Sequence, residues 1–274
     1  MNNPGARPEA RRPPIARVAD HAIRLQGIAK SFPARATGLA FRNSRKLRHQ
    51  VLTNVTLDVR AGEVMGLIGA NGAGKTTLLE IVATTQLPTA GSGLVSGLDL
   101  LADPSDIRRL IGYAPAAPES FYSRLSGGAN LEFFAALHDL TPATARERTR
   151  RVLDLIHAPE LERVMFQRCS AGMKQKLTLA RALLHDPAIL LLDEPTRSLD
   201  AAAQSDFHHL LRQALAGPLR KTVLMVTHNA AEAEAVCDRV AWLRDGVIAG
   251  VWPADRLPEE VRAGPFAAAP ERGP

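Results

Sequence analysis

Gly69-Ala70-Asn71-Gly72-Ala73-Gly74-Lys75-Thr76-Thr77 decides the reading of this chain. The stretch fits G-x-x-x-x-G-K-[ST], a loop that cradles phosphate. Val64-Met65-Gly66-Leu67-Ile68 precedes it, apolar enough for a buried strand, and Leu78-Leu79-Glu80-Ile81-Val82 follows with helical character. Strand, glycine loop and helix form the context the motif requires. The glycines let the backbone curl so that its N–H groups point at phosphate oxygens, and the helix N-terminus adds partial positive charge. Lys75 is then placed for the β- and γ-phosphates, and the Thr76 hydroxyl for Mg²⁺. The nucleotide-binding candidates are Gly69, Asn71, Gly72, Ala73, Gly74, Lys75, Thr76 and Thr77. The competing reading, an ordinary glycine turn, loses ground to the motifs downstream.

Working outward, Ala22–Ile28 and Val51–Val59 alternate apolar and polar residues as half-buried strands do. Leu87–Gly93 reads as a turn cluster, Leu94–Gly97 as a short strand, and Arg109–Tyr113 as another strand. Residues 125–165 change character and read as helices, with Pro142 at the tolerated first position of one of them. Gln175–Leu184 and Ala201–Leu215 read as further helices. Ala188–Leu192 and Thr222–Thr227 are buried-strand runs, and Val240–Leu243 with Val247–Val251 form a hairpin around Asp245-Gly246. The expected fold is α/β: a P-loop NTPase core with a mostly parallel sheet, an antiparallel β portion near the N-terminus and an inserted helical subdomain. The expected organisation is a disordered tail at 1–20, an ATP-binding domain at 21–257 with the helical subdomain at about 115–172, and a mobile tail at 258–274.

The chain has 274 residues, 46% hydrophobic, which is enough for one large core or two modest ones. Its net charge is +6, and no Asp or Glu occurs from His21 to Leu57. A basic window of that kind suits nucleic acid or an anionic membrane surface, or simply a solvated loop. Two cysteines, Cys169 and Cys237, suggest no disulfide framework and fit a reduced compartment. Apolar runs are of strand length, well short of a membrane span. Arg11-Arg12 is followed by Pro13-Pro14 rather than an apolar stretch, which argues against a secretion signal.

In parallel sheets, ligands bind outside the carboxyl ends of the strands. The glycine loop, Asp193-Glu194 and His228 all follow strands there. Asp193 is the expected metal carboxylate, partnered by Thr76. Glu194 is placed to polarise an attacking water, and His228 to bond the γ-phosphate. Glu194, His228 and Lys75 are therefore the catalytic candidates.

Together these motifs resemble the ATP-binding subunit of ABC transporters over roughly residues 22–252. Cys169-Ser170-Ala171-Gly172-Met173 resembles that family's signature motif, Ser198-Leu199-Asp200 its D-loop, and His228 its switch histidine. The resemblance implies that Ser170, Gly172 and Asp200 contact nucleotide across a dimer. It also offers Phe32, with Phe41 second, as the aromatic that stacks on adenine. It implies ATP and Mg²⁺ as cofactors, ATP hydrolysis coupled to transport, a second ATP-binding subunit (in the simplest case an identical chain), and a transmembrane permease. The chain would sit peripherally on the cytoplasmic face of the membrane, with no nucleic acid expected. Two departures stand out. Cys169, Ala171 and Met173 replace the usual signature residues, and Ala116 stands where the family usually has Gln. The segment Ser120–Gly127 is similar to one in polysaccharide and drug exporters, which favours export. The rival readings are a soluble ATPase of this type acting on ribosomes or DNA, and a subunit that binds ATP but hydrolyses it weakly.

Overall fold

A computed structural model of the chain describes residues 20–33, 48–117 and 120–263. The expected N-terminal tail (apart from Asp20), Phe41 and residues 34–47 of the basic window lie outside them. Two sheets form the frame. The first is antiparallel: β1 (His21–Pro33), β2 (Arg48–Arg60), β4 (Ala90–Val95) and β5 (Leu98–Asp99), in the order β2-β1-β4-β5. The second has six strands: β3 (Val64–Ile68), β6 (Ile111–Ala114), β7 (Ile189–Asp193), β8 (Thr222–Val226), β9 (Arg239–Arg244) and β10 (Val247–Pro253). Their order is β10-β9-β3-β8-β7-β6, parallel from β9 to β6, with β10 antiparallel at the edge. The predicted α/β fold with its antiparallel N-terminal portion is what the chain adopts.

The central strands β3, β7 and β8 are buried along their whole length. Their alternate residues therefore feed two cores, one on each face of the sheet. Val64, Ile68, Leu190, Leu192 and Met225 pack into one with the helical segment; Met65, Leu67, Leu191, Leu224 and Val226 pack into the other with the antiparallel sheet. This two-sided burial explains why these strands read as continuous apolar runs without alternation.

Helix α1 (Lys75–Val82) follows the glycine loop, and α2 (Pro104–Leu110) precedes β6. Between β6 and β7 the chain is helical: α3 (Gly127–Ala136), α4 (Pro142–Leu155), two 3₁₀ turns, and α5 (Ala171–Leu183). Ser126, Thr141 and Ser170 cap the last three helices, each accepting a bond from the N–H three residues on. After β7 come α6 (Ala201–Leu210) with a π turn at Leu211–Ala216, then α7 (Ala230–Val236) and α8 (Glu259–Arg262).

Several sequence expectations need correction. Arg109-Leu110 ends a helix and not a strand, because Pro104 starts α2 and Ile107 faces the core. Ala90–Gly93 belongs to β4 rather than to a turn. Its glycines serve close strand approach: a Cβ on Gly91 would lie 2.4 Å from the Gly27 carbonyl oxygen, and one on Gly93 2.4 Å from Leu100. β1 runs on through Lys30-Ser31-Phe32 to Pro33. Residues 258–263 of the expected mobile tail are held to the domain, since Val261 is buried and Arg262 bonds Glu234 at 2.6 Å, while the rest of that tail lies outside the described residues. The β9–β10 hairpin forms around Asp245-Gly246 as expected, and Cys237 is buried. Among the described residues no helix is long and apolar enough to cross a membrane.

One contact ties the end of α3 to the base of β6. The imidazole of His138 stacks on that of His185, centroids 4.0 Å apart. His185 Nε2 lies 3.0 Å from the Ile111 carbonyl oxygen, while its Nδ1 is buried with no partner among the described residues. A proton on Nδ1 would lack an acceptor. Burial, followed by the neighbouring His138, pushes the His185 pKa down from 6.5 to about 4. A depressed histidine contributes stability that is complete above its unfolded pKa and is lost as pH falls through its folded one. Unfolding free energy is therefore expected to fall between pH 6.5 and about 4, and His185→Gln to flatten that slope in urea titrations. Gly112 tests the packing of β6 itself. A Cβ there would sit 2.1 Å from the Ala182 carbonyl oxygen on α5. Gly112→Ala is expected to cost about 1–3 kcal/mol, read as a lower urea midpoint at unchanged slope.

Candidate active site

The site begins where β3 stops. Gly72 and Gly74 take φ values of 80° and 101°, in the left-handed region that glycine enters without steric cost. A Cβ on Gly74 would also meet Leu52 of β2 at 2.6 Å, so the loop is pressed between the two sheets. α1 starts on Gly74 with no side-chain cap. Its first-turn N–H groups are therefore left to an outside acceptor, and with the helix dipole they form an anion site. Lys75 is buried and turns its ammonium onto the carbonyls of Gly69 at 2.8 Å and Ala70 at 3.0 Å. Burial lowers its pKa, while Glu194 and Asp193 oppose the shift.

β7 delivers Asp193 to the same place. The Thr76 hydroxyl donates to Asp193 Oδ2 at 2.8 Å. Burial raises the Asp193 pKa, the Thr76 bond lowers it, and neighbouring Glu194 raises it again. A hydroxyl and a carboxylate held together by hard oxygens fit a Mg²⁺ ion. Asp193 is buried, and a bound divalent cation would supply its countercharge.

Glu194 occupies a left-handed conformation with φ 47°. That is strained for a side chain with a Cβ, and such strain collects at functional sites. Its N–H still donates to the Val226 carbonyl at 2.9 Å, so the β7–β8 ladder holds it in place. Its carboxylate lies 3.5 Å from His228 Nδ1 and 3.3 Å from the Arg197 guanidinium. The structure thus brings together Lys75, Thr76, Asp193, Glu194 and His228 as the sequence predicted.

The signature-like residues form a second group. Ser170 caps α5, and Asp200 caps α6 by accepting the Ala203 N–H at 2.9 Å. Gly172 faces Leu199 and Ser198, where a Cβ would come within 3.4 Å of Leu199. Among the described residues no hydrogen bond joins this group to the glycine loop. Phe32 lies near the end of β1, with the Lys30 ammonium 5.0 Å from its ring centroid. Ala116 lies two residues beyond β6. Sequence reasoning missed Arg197 and Glu232. Arg197 carried no motif. Glu232 is buried on α7 beside Ala233 and Val236, and an acidic residue on an otherwise apolar helix face was the available signal.

A protein-family model described as ABC transporter matches residues 52–197. The ABC transporter ATP-binding protein NatA of Bacillus subtilis is 34% identical over 211 residues, covering 76% of this chain and 83% of NatA. The doxorubicin resistance ATP-binding protein DrrA of Mycobacterium tuberculosis is 35% identical over 212 residues, 75% of this chain and 61% of DrrA. Among solved structures, the dimeric ATP-binding cassette MJ0796, in a post-hydrolysis state with ADP and Pi, aligns with a TM-score of 0.74 at 25% identity, covering 85% of this chain and 98% of that one.

The buried, like-charged Asp193 yields a prediction. Its raised pKa means the ionised form is disfavoured in the folded state. A neutral side chain of the same shape removes that penalty and can still accept from Thr76. Asp193→Asn is expected to raise the melting temperature of the nucleotide-free protein by roughly 2–4 °C while lowering ATP hydrolysis by two or more orders of magnitude, measured by calorimetry and phosphate release.

Proposed function

The chain belongs to the ATP-binding proteins of the ABC transporter family, and from that premise we propose that it powers export through a separate transmembrane permease, from the cytoplasmic face of a membrane. It is an ATPase, converting ATP and water to ADP and phosphate. The observation that carries the mechanistic reading is the convergence of Thr76, Asp193, Glu194 and His228 at the ends of adjacent strands.

In this reading the N–H groups of the glycine loop, from Gly69 to Thr77, and the Lys75 ammonium bind the phosphates. Lys75 leaves the carbonyls of Gly69 and Ala70 to do so. Thr76 and Asp193 hold Mg²⁺, which when bound neutralises phosphate charge. Glu194 accepts a proton from the attacking water, and its strained backbone fixes the carboxylate's direction. His228 donates to the γ-phosphate and, through its contact with Glu194, keeps the two groups in register. Ser170, Gly172 and Asp200 are assigned to the nucleotide held by a second copy of the chain. The dimeric form of the MJ0796 cassette supports that assignment. Phe32 is assigned to adenine. Export is favoured by relatives named for doxorubicin and daunorubicin resistance. The named relatives lend no support to a ribosome- or DNA-directed role.

The test uses Glu194→Gln. Its hydrolysis is expected to fall by roughly 10²–10⁴-fold, and in ATP and Mg²⁺ it should run as a dimer on a sizing column while the native chain runs as a monomer. Hydrolysis at the native rate in this variant would remove Glu194 from the reaction and would also favour a different base.

A further inference from the structure

We propose that Glu232 is a positioning residue that ties the loop after β7, the end of β8 and helix α6 into one frame, and so sets Glu194 against His228. The inference rests on the catalytic reading of those two residues. Glu232 is only 6% exposed. A buried carboxylate is costly unless its oxygens are bonded, and here both are. Oε1 accepts from the Thr196 hydroxyl at 2.5 Å, and Oε2 from the Thr227 hydroxyl at 2.5 Å. His208 Nε2 on α6 lies 3.2 Å from Oε1.

The placement of these partners gives the network its meaning. Thr196 stands two residues after Glu194, across the rigid Pro195. Thr227 stands immediately before His228. One carboxylate therefore grips both segments that carry the reacting side chains. The His228 segment is closed from the other side too. Thr227 Oγ1 accepts the Asn229 N–H at 3.0 Å, and Asn229 Oδ1 accepts the N–H groups of Ala231 and Glu232 at 3.0 and 3.3 Å. α6 joins through His208, and also through Gln204 Nε2, which donates to the Leu199 carbonyl at 3.1 Å. Leucine or methionine would fill this volume at a smaller desolvation cost. Either would leave two buried hydroxyls without acceptors and the two loops free to separate.

Misplacement of a catalytic group by about 1 Å is worth roughly 100-fold in rate. Glu232→Ala is therefore expected to lower kcat by roughly 10–100-fold with KM for ATP and fluorescent-nucleotide affinity nearly unchanged. Glu232→Gln, whose amide can accept from one hydroxyl and donate to the other, should recover most of that loss. Thr196→Val and Thr227→Val keep volume and each remove one bond to the carboxylate, the second also removing the acceptor of the Asn229 N–H; they should each lower kcat, and the double variant should lower it less than the product of the two. If Glu232→Ala fails to fold by calorimetry, this threonine pair carries the test. Unchanged kcat in folded Glu232→Ala, a KM that rises in step with the loss, or no recovery in Glu232→Gln would each overturn the proposal. Glu194→Gln measured alongside separates the failures: if it abolishes turnover while Glu232→Ala does not, the base stands and only the positioning role is lost.

Discussion

The structure depends on the parallel pairing of β3, β8 and β7. Val64 pairs with Val223, and Leu190 with the same Val223, so three strands end at nearly the same level. Their ends release the glycine loop, Asp193-Glu194 and Thr227-His228 in adjacent positions. The ladder also continues past the strands: the Thr227 N–H donates to the Leu67 carbonyl at 3.2 Å and the Glu194 N–H to the Val226 carbonyl at 2.9 Å. The groups of the site are therefore fixed by main-chain bonds, while their side chains turn outward from a backbone that cannot slip without exposing both cores.

That rigid frame lets the site hold arrangements that are unfavourable by themselves. Two carboxylates sit side by side, one of them buried, with a single ammonium nearby whose own charge burial disfavours. Glu194 adds backbone strain. Local conflict of this kind is expected where the surrounding structure over-determines the geometry and a ligand completes the charge balance. The apolar strands around it supply the compensating burial.

Much of this was legible in the sequence because the signals were local. A glycine loop between an apolar strand and a helix, and an acidic pair after four apolar residues, each fit within ten residues. The errors came where burial overrode local pattern. Gly91 and Gly93 resemble turn glycines in sequence, yet they lie within a strand where Gly27 and Leu100 approach too closely for a Cβ. Arg109-Leu110-Ile111 shows no break at the helix–strand junction, and only Pro104 marks the helix start. Glu232 was missed because its partners, Thr196 and Thr227, come from segments 36 and five residues away. Thr227 falls within a short window, but Thr196 and His208 are brought to this acid only by the fold.

The strand order also dictates the history of each newly made molecule. β3 leaves the ribosome early, yet its neighbours on either side are β8 and β9, whose residues Val223 and Arg239 follow Val64 and Met65 by well over a hundred positions. Contacts of such sequence separation form late. Until the C-terminal third has been synthesised, the glycine loop hangs from an unpaired apolar strand with both edges open. Open strand edges of that kind favour aggregation. Nucleotide affinity is therefore expected to appear only once β8 and β9 have paired with β3.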